Sequence, residues 1–266
     1  MSAFDERPSN LFSGVDQRLV IEIFGAELQQ PGLATTGINR WAAKTRDNLF
    51  PNIFYSAQDH QSTGRTRTIL KIKNVSVETS LLAKLYSNDP IERFRSMLPT
   101  KNLVAYRTAG GRYWKVVLDV PFESEALSGK VAYLQNLSGR QAVALISSST
   151  FWWYYSCHFD MYNLKDYMIF GFRFSKASQQ VLDELDSLGR KLVKSLEYNA
   201  EVQTMQSQTR GVVEQKIYNA GKSKLILDEI DGVLARHYGF TAEELDFILN
   251  YDIKYRLGRN AESDDE

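Results

Sequence analysis

The chain has 266 residues, 43% of them hydrophobic and 12% aromatic. That is enough for one large domain or two small ones with a sizeable core, and too aromatic for a disordered polymer. Its one cysteine, Cys157, excludes an internal disulfide and suits a reducing cytosol, so a cytoplasmic setting is expected. No run of 18 apolar residues offers a membrane span, and the first residues lack a basic-then-apolar signal pattern.

The net charge is zero, with 32 Lys/Arg against 32 Asp/Glu, but the two signs are unevenly spread. Residues 41–118 hold 13 Lys/Arg against 5 Asp/Glu, whereas residues 181–266 hold 11 against 17. A basic block of that kind suits a polyanion, whose phosphates it would neutralise with release of counterions. A solvated basic face without a partner is the plainer alternative.

In chain order, the first predicted element is a strand over Arg18–Phe24, where Leu19, Val20, Ile21, Ile23 and Phe24 form a nearly continuous apolar run ended by Gly25. The preceding residues, with Pro8, Ser9, Asn10, Ser13 and Gly14, have loop composition. A buried strand needs neighbours on its edges. Either later strands complete its sheet, or it is the tail of a larger sheet whose front lies elsewhere. "QQPGLATTG" (29–37) reads as a loop. "RTRTILKIKN" (65–74) alternates basic and apolar residues, as a half-buried strand does, with Arg65, Arg67, Lys71 and Lys73 on its polar side.

"PIERFRSMLP" (90–99) reads as a short helix opened by proline. "RYWKVVLDVPF" (112–122) reads as a strand after the turn "TAGG" (108–111). "RQAVALISSSTFWWYYSC" (140–157) reads as a strand entering a helix or as one long helix, and the helix is preferred. Val181, Leu182, Leu185, Leu188, Leu192, Val193 and Leu196 recur at helical spacing. The Gln/Thr/Ser-rich stretch 199–210 is expected to be a linker or a helix end. Another amphipathic helix spans 223–238 and stops at Gly239. "TAEE" (241–244) is a capping box, with Thr241 as N-cap and Glu244 at the third position.

Several chemistries lack their residues. The glycines of "FGAELQQPG" (24–32) do not have the spacing that cradles a pyrophosphate. His60, His158 and His237 have no ligand-spaced partner, and one cysteine makes no zinc cluster, so no metal site is expected. "VEQK" (213–216) holds the acid-x-Lys triplet that nucleases use, but in a helix-like polar stretch without an acidic strand partner, and reads as coincidence. Cys157, Trp114 and the run Phe151–Tyr155 are expected in the hydrophobic core.

Taken together, several stretches resemble the C-terminal part of the adenine-N6 DNA methyltransferases of restriction–modification systems, with a TaqI-like specificity domain. "FDERPSNLFSGVDQRL" (4–19) is similar to the segment that family carries after its catalytic Asn-Pro-Pro-Tyr motif, and "NRWAAKTRDNLFPNI" (39–53) resembles the exit from the methylase sheet. "YRTAGGRYWKV" (106–116) and "SSSTFWWYYSCHFDMYNLKDYMIFGF" (147–172) resemble its target-recognition domain. "LILDEIDGVLARHYGFTAEELDFILNYDIKYRLG" (225–258) resembles its closing helical segment, the most specific of these likenesses. The S-adenosylmethionine loop and Asn-Pro-Pro-Tyr are not among these residues; "SNDPIE" (87–92) lacks the second proline and the aromatic. No catalytic residue is therefore carried over.

The resemblance implies an α+β chain in three parts: residues 1–40, the edge of a methylase β-sheet; residues 41–176, a mixed α/β DNA target-recognition domain; and residues 177–266, C-terminal helices. It implies double-stranded DNA and a methylase half as partners, with no membrane, and S-adenosylmethionine as the cofactor of the complete enzyme, none being held by this chain alone. Phe4 falls where the family places an aromatic near the flipped target base. By residue type, Arg65, Arg67, Lys71 and Lys73 would meet phosphates. Arg107, Arg112 and Lys115, beside the Gly110–Gly111 turn, would reach base edges, Arg because its fork matches guanine. Three rivals stand beside this reading. One is a specificity subunit of a multi-subunit restriction system, a DNA-binding protein without enzymatic activity, although such a subunit carries two recognition domains and two spacer helices and only one of each is found here. Another is a decayed gene remnant, which would expose apolar surface around Val20–Phe24. The last is an autonomous nuclease resting on Glu214, which an unchanged Glu214 variant would remove.

Overall fold

The computed structural model describes residues 1–6, 9–23, 25, 32–58, 69–109, 114–122, 128–207 and 211–256. It is a mixture of helices and small sheets, so the α+β class holds. Two compact units emerge. The described residues of the first fall within Met1–Ala83 and Tyr154–Met161, those of the second within Lys84–Trp153 and Tyr162–Ala261. This division follows neither position 40 nor position 176.

In the first unit, β1 (Ser2–Phe4) is the central strand of a three-stranded sheet. It pairs antiparallel with β2 (Leu19–Ile21), Ala3 facing Val20, and parallel with β4 (Ile38–Asn39), Ala3 facing Ile38. The residues before the predicted strand thus supply its neighbour, and β2 is a short edge strand rather than a buried one. Val20 is 53% and Ile23 87% exposed. The exposure belongs to the β2 edge, since all three β1 residues are buried, and Phe4, Leu11, Trp41 and Leu49 form a core against which Leu19, Ile21 and Ile53 pack. β3 (Leu33–Thr35), within the expected loop 29–37, pairs antiparallel with β5 (Ser56–Gln58). Asp5 is buried between Arg18 and Arg40, at 2.9 and 2.6 Å.

Helix α1 (Val75–Tyr86) follows the segment expected to be a strand over 65–74, of which 65–68 lie outside the described residues. Over 69–74 no ladder forms among the described residues. Leu70 and Ile72 are buried while Ile69 and Lys73 are exposed, so the alternation is present although no described strand pairs with it. The Lys71 N–H instead donates to the Cys157 carbonyl at 3.0 Å. The Glu78 carboxylate accepts from the N–H groups of Lys73 and Asn74, both at 2.7 Å, which satisfies two donors at the approach to α1.

The second unit contains an antiparallel sheet of order β6-β9-β7-β8, made of β6 (Arg95–Ser96), β7 (Leu103–Arg107), β8 (Val117–Leu118) and β9 (Gly129–Leu134). The predicted helix over 90–99 is a single 3₁₀ turn, Ile91–Phe94, feeding β6. The stretch 140–157 is helical, as preferred, but breaks at Ser148 into α2 (Gly139–Ser147) and α3 (Ser149–His158). Trp114 and Phe151–Tyr155 are buried. α4 (Asp166–Phe170) is tied to the sheet through Asp166, which accepts from Tyr106 at 2.9 Å, Lys130 at 3.0 Å and Arg95 at 2.9 Å.

α5 (Gln179–Tyr198) presents the leucine stripe read from the sequence and packs on α2. The polar stretch after it is neither linker nor helix end. It is an antiparallel hairpin, β10 (Glu201–Ser207) with β11 (Gly211–Ile217), in seven-residue register. α6 (Lys224–Tyr238) ends at Gly239, whose φ of 72° is left-handed. α7 (Ala242–Asn250) opens on the Thr241–Glu244 capping box, and α8 (Ile253–Arg256) closes the described chain. Asp231 of α6 accepts from the N–H groups of Ser149 and Thr150, at 2.8 and 2.9 Å, capping α3. Arg256 donates to the carbonyls of Ser147 and Ser148, at 3.1 and 3.2 Å, capping α2. One buried carboxylate and one buried guanidinium thus satisfy the helix ends that the break at Ser148 exposes. No helix of the described residues is long and apolar enough to cross a membrane.

Candidate functional site

The second unit holds a cavity of about 370 Å³ where the end of β7, the turn after β8, the last turn of α5 and one face of the β10–β11 hairpin meet. The hairpin face follows from strand periodicity. Glu214, Lys216 and Tyr218 are two residues apart, and Val202 stands opposite Lys216, so all four side chains fall on one side. Glu197 of α5 ties that face to the helix: its carboxylate accepts from Lys216 Nζ at 3.1 Å and from the Tyr218 hydroxyl at 2.8 Å. Also lining the cavity, the Arg107 guanidinium lies over the Phe122 ring, 4.5 Å from its centre. Arg107 is the last residue of β7, and its N–H donates to the Val116 carbonyl at 3.2 Å. Leu118, Val120 and Pro121 give the cavity an apolar floor. Among the described residues Glu214 has neither an ion pair nor a hydrogen bond. The site therefore combines an open carboxylate, two cations, a phenol and a stacked aromatic wall.

Of the expected site residues that are described, Arg107 is the one that lines this cavity. Arg65, Arg67 and Arg112 fall outside the described residues. Lys73 is exposed, as a phosphate contact must be. Three expectations are corrected. Phe4 stands in β1 rather than in a loop; it is 2% exposed and edge-on to Trp41 with ring centres 6.1 Å apart, so neither ring face is open to a base. Lys115 is 4% exposed and its Nζ donates to the Tyr162 carbonyl at 3.0 Å, which removes it from base edges. Lys71 is largely buried, its Nζ donating to the Cys157 carbonyl at 3.2 Å. Burial, with the Arg18 charge adding, brings its ammonium down to about 8 against the pull of Cys157 and Asp160. Each has apolar atoms that gain from burial, and residue type alone does not separate a buried Lys stem from a solvated one.

The triplet Glu214–Gln215–Lys216 lies in a strand, not in a helix-like stretch. Among the described residues no three His, Cys, Asp or Glu side chains form a group able to hold a metal ion. Sequence reasoning missed Phe122, Glu197 and Tyr218. The alternation through 212–218 was a signal for Tyr218, which it points the same way as Glu214 and Lys216 once a strand is assumed; Phe122 and Glu197 carried none. No family model matches this chain, and neither a curated protein nor a solved structure matches it.

Proposed function

We propose that the chain is the DNA target-recognition portion of a site-specific adenine-N6 DNA methyltransferase of a restriction–modification system. Methyl transfer would require an S-adenosylmethionine-binding half that these residues do not include. The observation that carries the reading is the edge of the N-terminal sheet. β2 pairs with β1 on one side, and among the described residues no strand pairs with its other side. Val20 of β2 and Ile23 two residues past its end are exposed, and Phe12 (54%), Phe50 (59%) and Phe54 (82%) add apolar surface in the same unit. Apolar side chains on an open edge suit continuation into a second sheet, and a gene remnant that had lost that sheet would expose the same side chains. This is the place where the resemblance puts the methylase half. The basic surplus of residues 41–118 supports DNA as the other partner.

The test is to find the reading frame upstream that encodes Asn-Pro-Pro-Tyr, co-express it with this chain, and measure transfer of labelled methyl from S-adenosylmethionine to duplex DNA. Co-purification with site-specific adenine methylation is the expected result. Duplex binding without methyl transfer by the pair would place the chain with the specificity subunits. The absence of both binding and transfer would leave a gene remnant.

A further inference from the structure

In the cavity of the second unit, the described residues give Glu214 no partner, while Lys216 beside it is engaged by Glu197 at 3.1 Å. An open carboxylate on a cavity wall is complemented by two N–H donors side by side. Another part of the lining is flat: Arg107 stacked over Phe122 at 4.5 Å forms the kind of plane on which nucleobases lie. A volume of about 370 Å³ is at the small end of ligand sites and suits a single nucleotide.

The hydrogen-bond pattern selects among the bases. Guanine presents N1–H and its N2 amine adjacent to one another, spaced like the two oxygens of a carboxylate. Adenine and cytosine each set an amine beside a bare ring acceptor, which a carboxylate repels. Thymine and uracil hold one N–H between two carbonyls. A guanidinium has the same fork as guanine but lacks the bicyclic face that a stack on Arg107 and Phe122 would hold, so agmatine serves as the control.

We infer that this cavity binds a guanine base, with Glu214 accepting from its N1–H and N2 amine and the Arg107–Phe122 pair stacking on its face. The inference does not rest on the methyltransferase reading. A free guanine nucleotide and an extrahelical guanine of DNA present the same edge.

The experiment is calorimetric titration of the intact chain with GMP, AMP and agmatine, and with duplexes carrying a single bulged guanine or a single bulged adenine. GMP should bind saturably and about tenfold or more tightly than AMP, the discrimination of one bidentate pair. Glu214→Gln should lose that factor with an unchanged circular dichroism spectrum. Phe122→Leu, which keeps the bulk and removes the stack, should weaken GMP and AMP alike. Gln203→Ala, one residue from Val202 and so on the other face of the hairpin, should leave GMP binding unchanged. Preference for the bulged guanine duplex over free GMP assigns the base to DNA; the reverse order assigns it to a free nucleotide. Equal binding of AMP and GMP, tighter binding of agmatine, GMP affinity unaffected by Glu214→Gln, or no saturable GMP binding would each overturn the inference.

Discussion

Phe4 meets Trp41 edge-on and packs with Leu11 and Leu49, so its contribution is to the stability of the N-terminal sheet. Phe4→Ala should lower unfolding free energy by about 3–5 kcal/mol, read from a urea transition. Loss of duplex binding with an unchanged transition would return Phe4 to a base-stacking role. Asp5, next along the chain, gives a pH prediction. Burial pushes its carboxyl up, but the Arg40 and Arg18 guanidiniums outweigh burial and hold it below its ordinary value of 3.8. An acid with a depressed folded pKa contributes stability that is present above 3.8 and lost as the pH falls below it towards the folded value. Asp5→Asn should therefore flatten the acid limb of the stability profile below about pH 4. An acid limb as steep as that of the parent protein would contradict this. At this scale the sequence was a fair guide to Trp114, Cys157 and the aromatic run 151–155, which the structure buries. It was a poor guide to Lys71 and Lys115, whose charged ends find backbone carbonyls inside the units.

Among the elements, those governed by local signals were legible. The leucine spacing of α5, the left-handed Gly239 and the Thr241–Glu244 box each act within one or two helical turns. Thr241→Ala should cost about 1 kcal/mol in thermal or chemical unfolding, and a neutral result would contradict the cap. Elements that depend on distant partners were not legible. The β10–β11 hairpin is polar along much of its length, so it carries no strong apolar period to set it apart from a linker. β1 is three residues long and is a strand only because β2 and β4 flank it. The contact between α2 and α5 is likewise visible only in three dimensions. A Cβ on Gly189 would come within 2.1 Å of the Arg140 carbonyl oxygen. Gly189→Ala should therefore force the helices apart and destabilise by about 1–3 kcal/mol, despite alanine's better helix propensity. A stabilised variant would show that the helices part without cost.

For the whole molecule, the sign of charge along the chain matters more than the zero total. Residues 41–118 contribute to both units, and their surplus of positive charge is the feature that DNA would use. If about four phosphates are contacted, duplex affinity should fall about a hundredfold between about 50 and 200 mM salt. A flat response would count against phosphate contact by this block. Within the expected interface, Arg112→Ala should relax sequence preference more than Arg65→Ala, because a base-edge contact discriminates and a phosphate contact does not. Equal losses on all duplexes for both variants would remove the base-reading assignment. The cavity shows the limit of residue-type reasoning at this scale. Arg107 and the Glu214–Lys216 triplet were each visible in the sequence, but their meeting depends on a hairpin that the sequence did not announce.

The proposed reading of a DNA site by this chain is tested most directly by selection. The purified chain would be mixed with duplexes of random sequence at low salt, and the bound fraction sequenced over successive rounds. Enrichment of one short site, abolished at high salt, is the predicted result. Recovery of a pool as random as the starting one, or no recovery of DNA at all, would contradict the account.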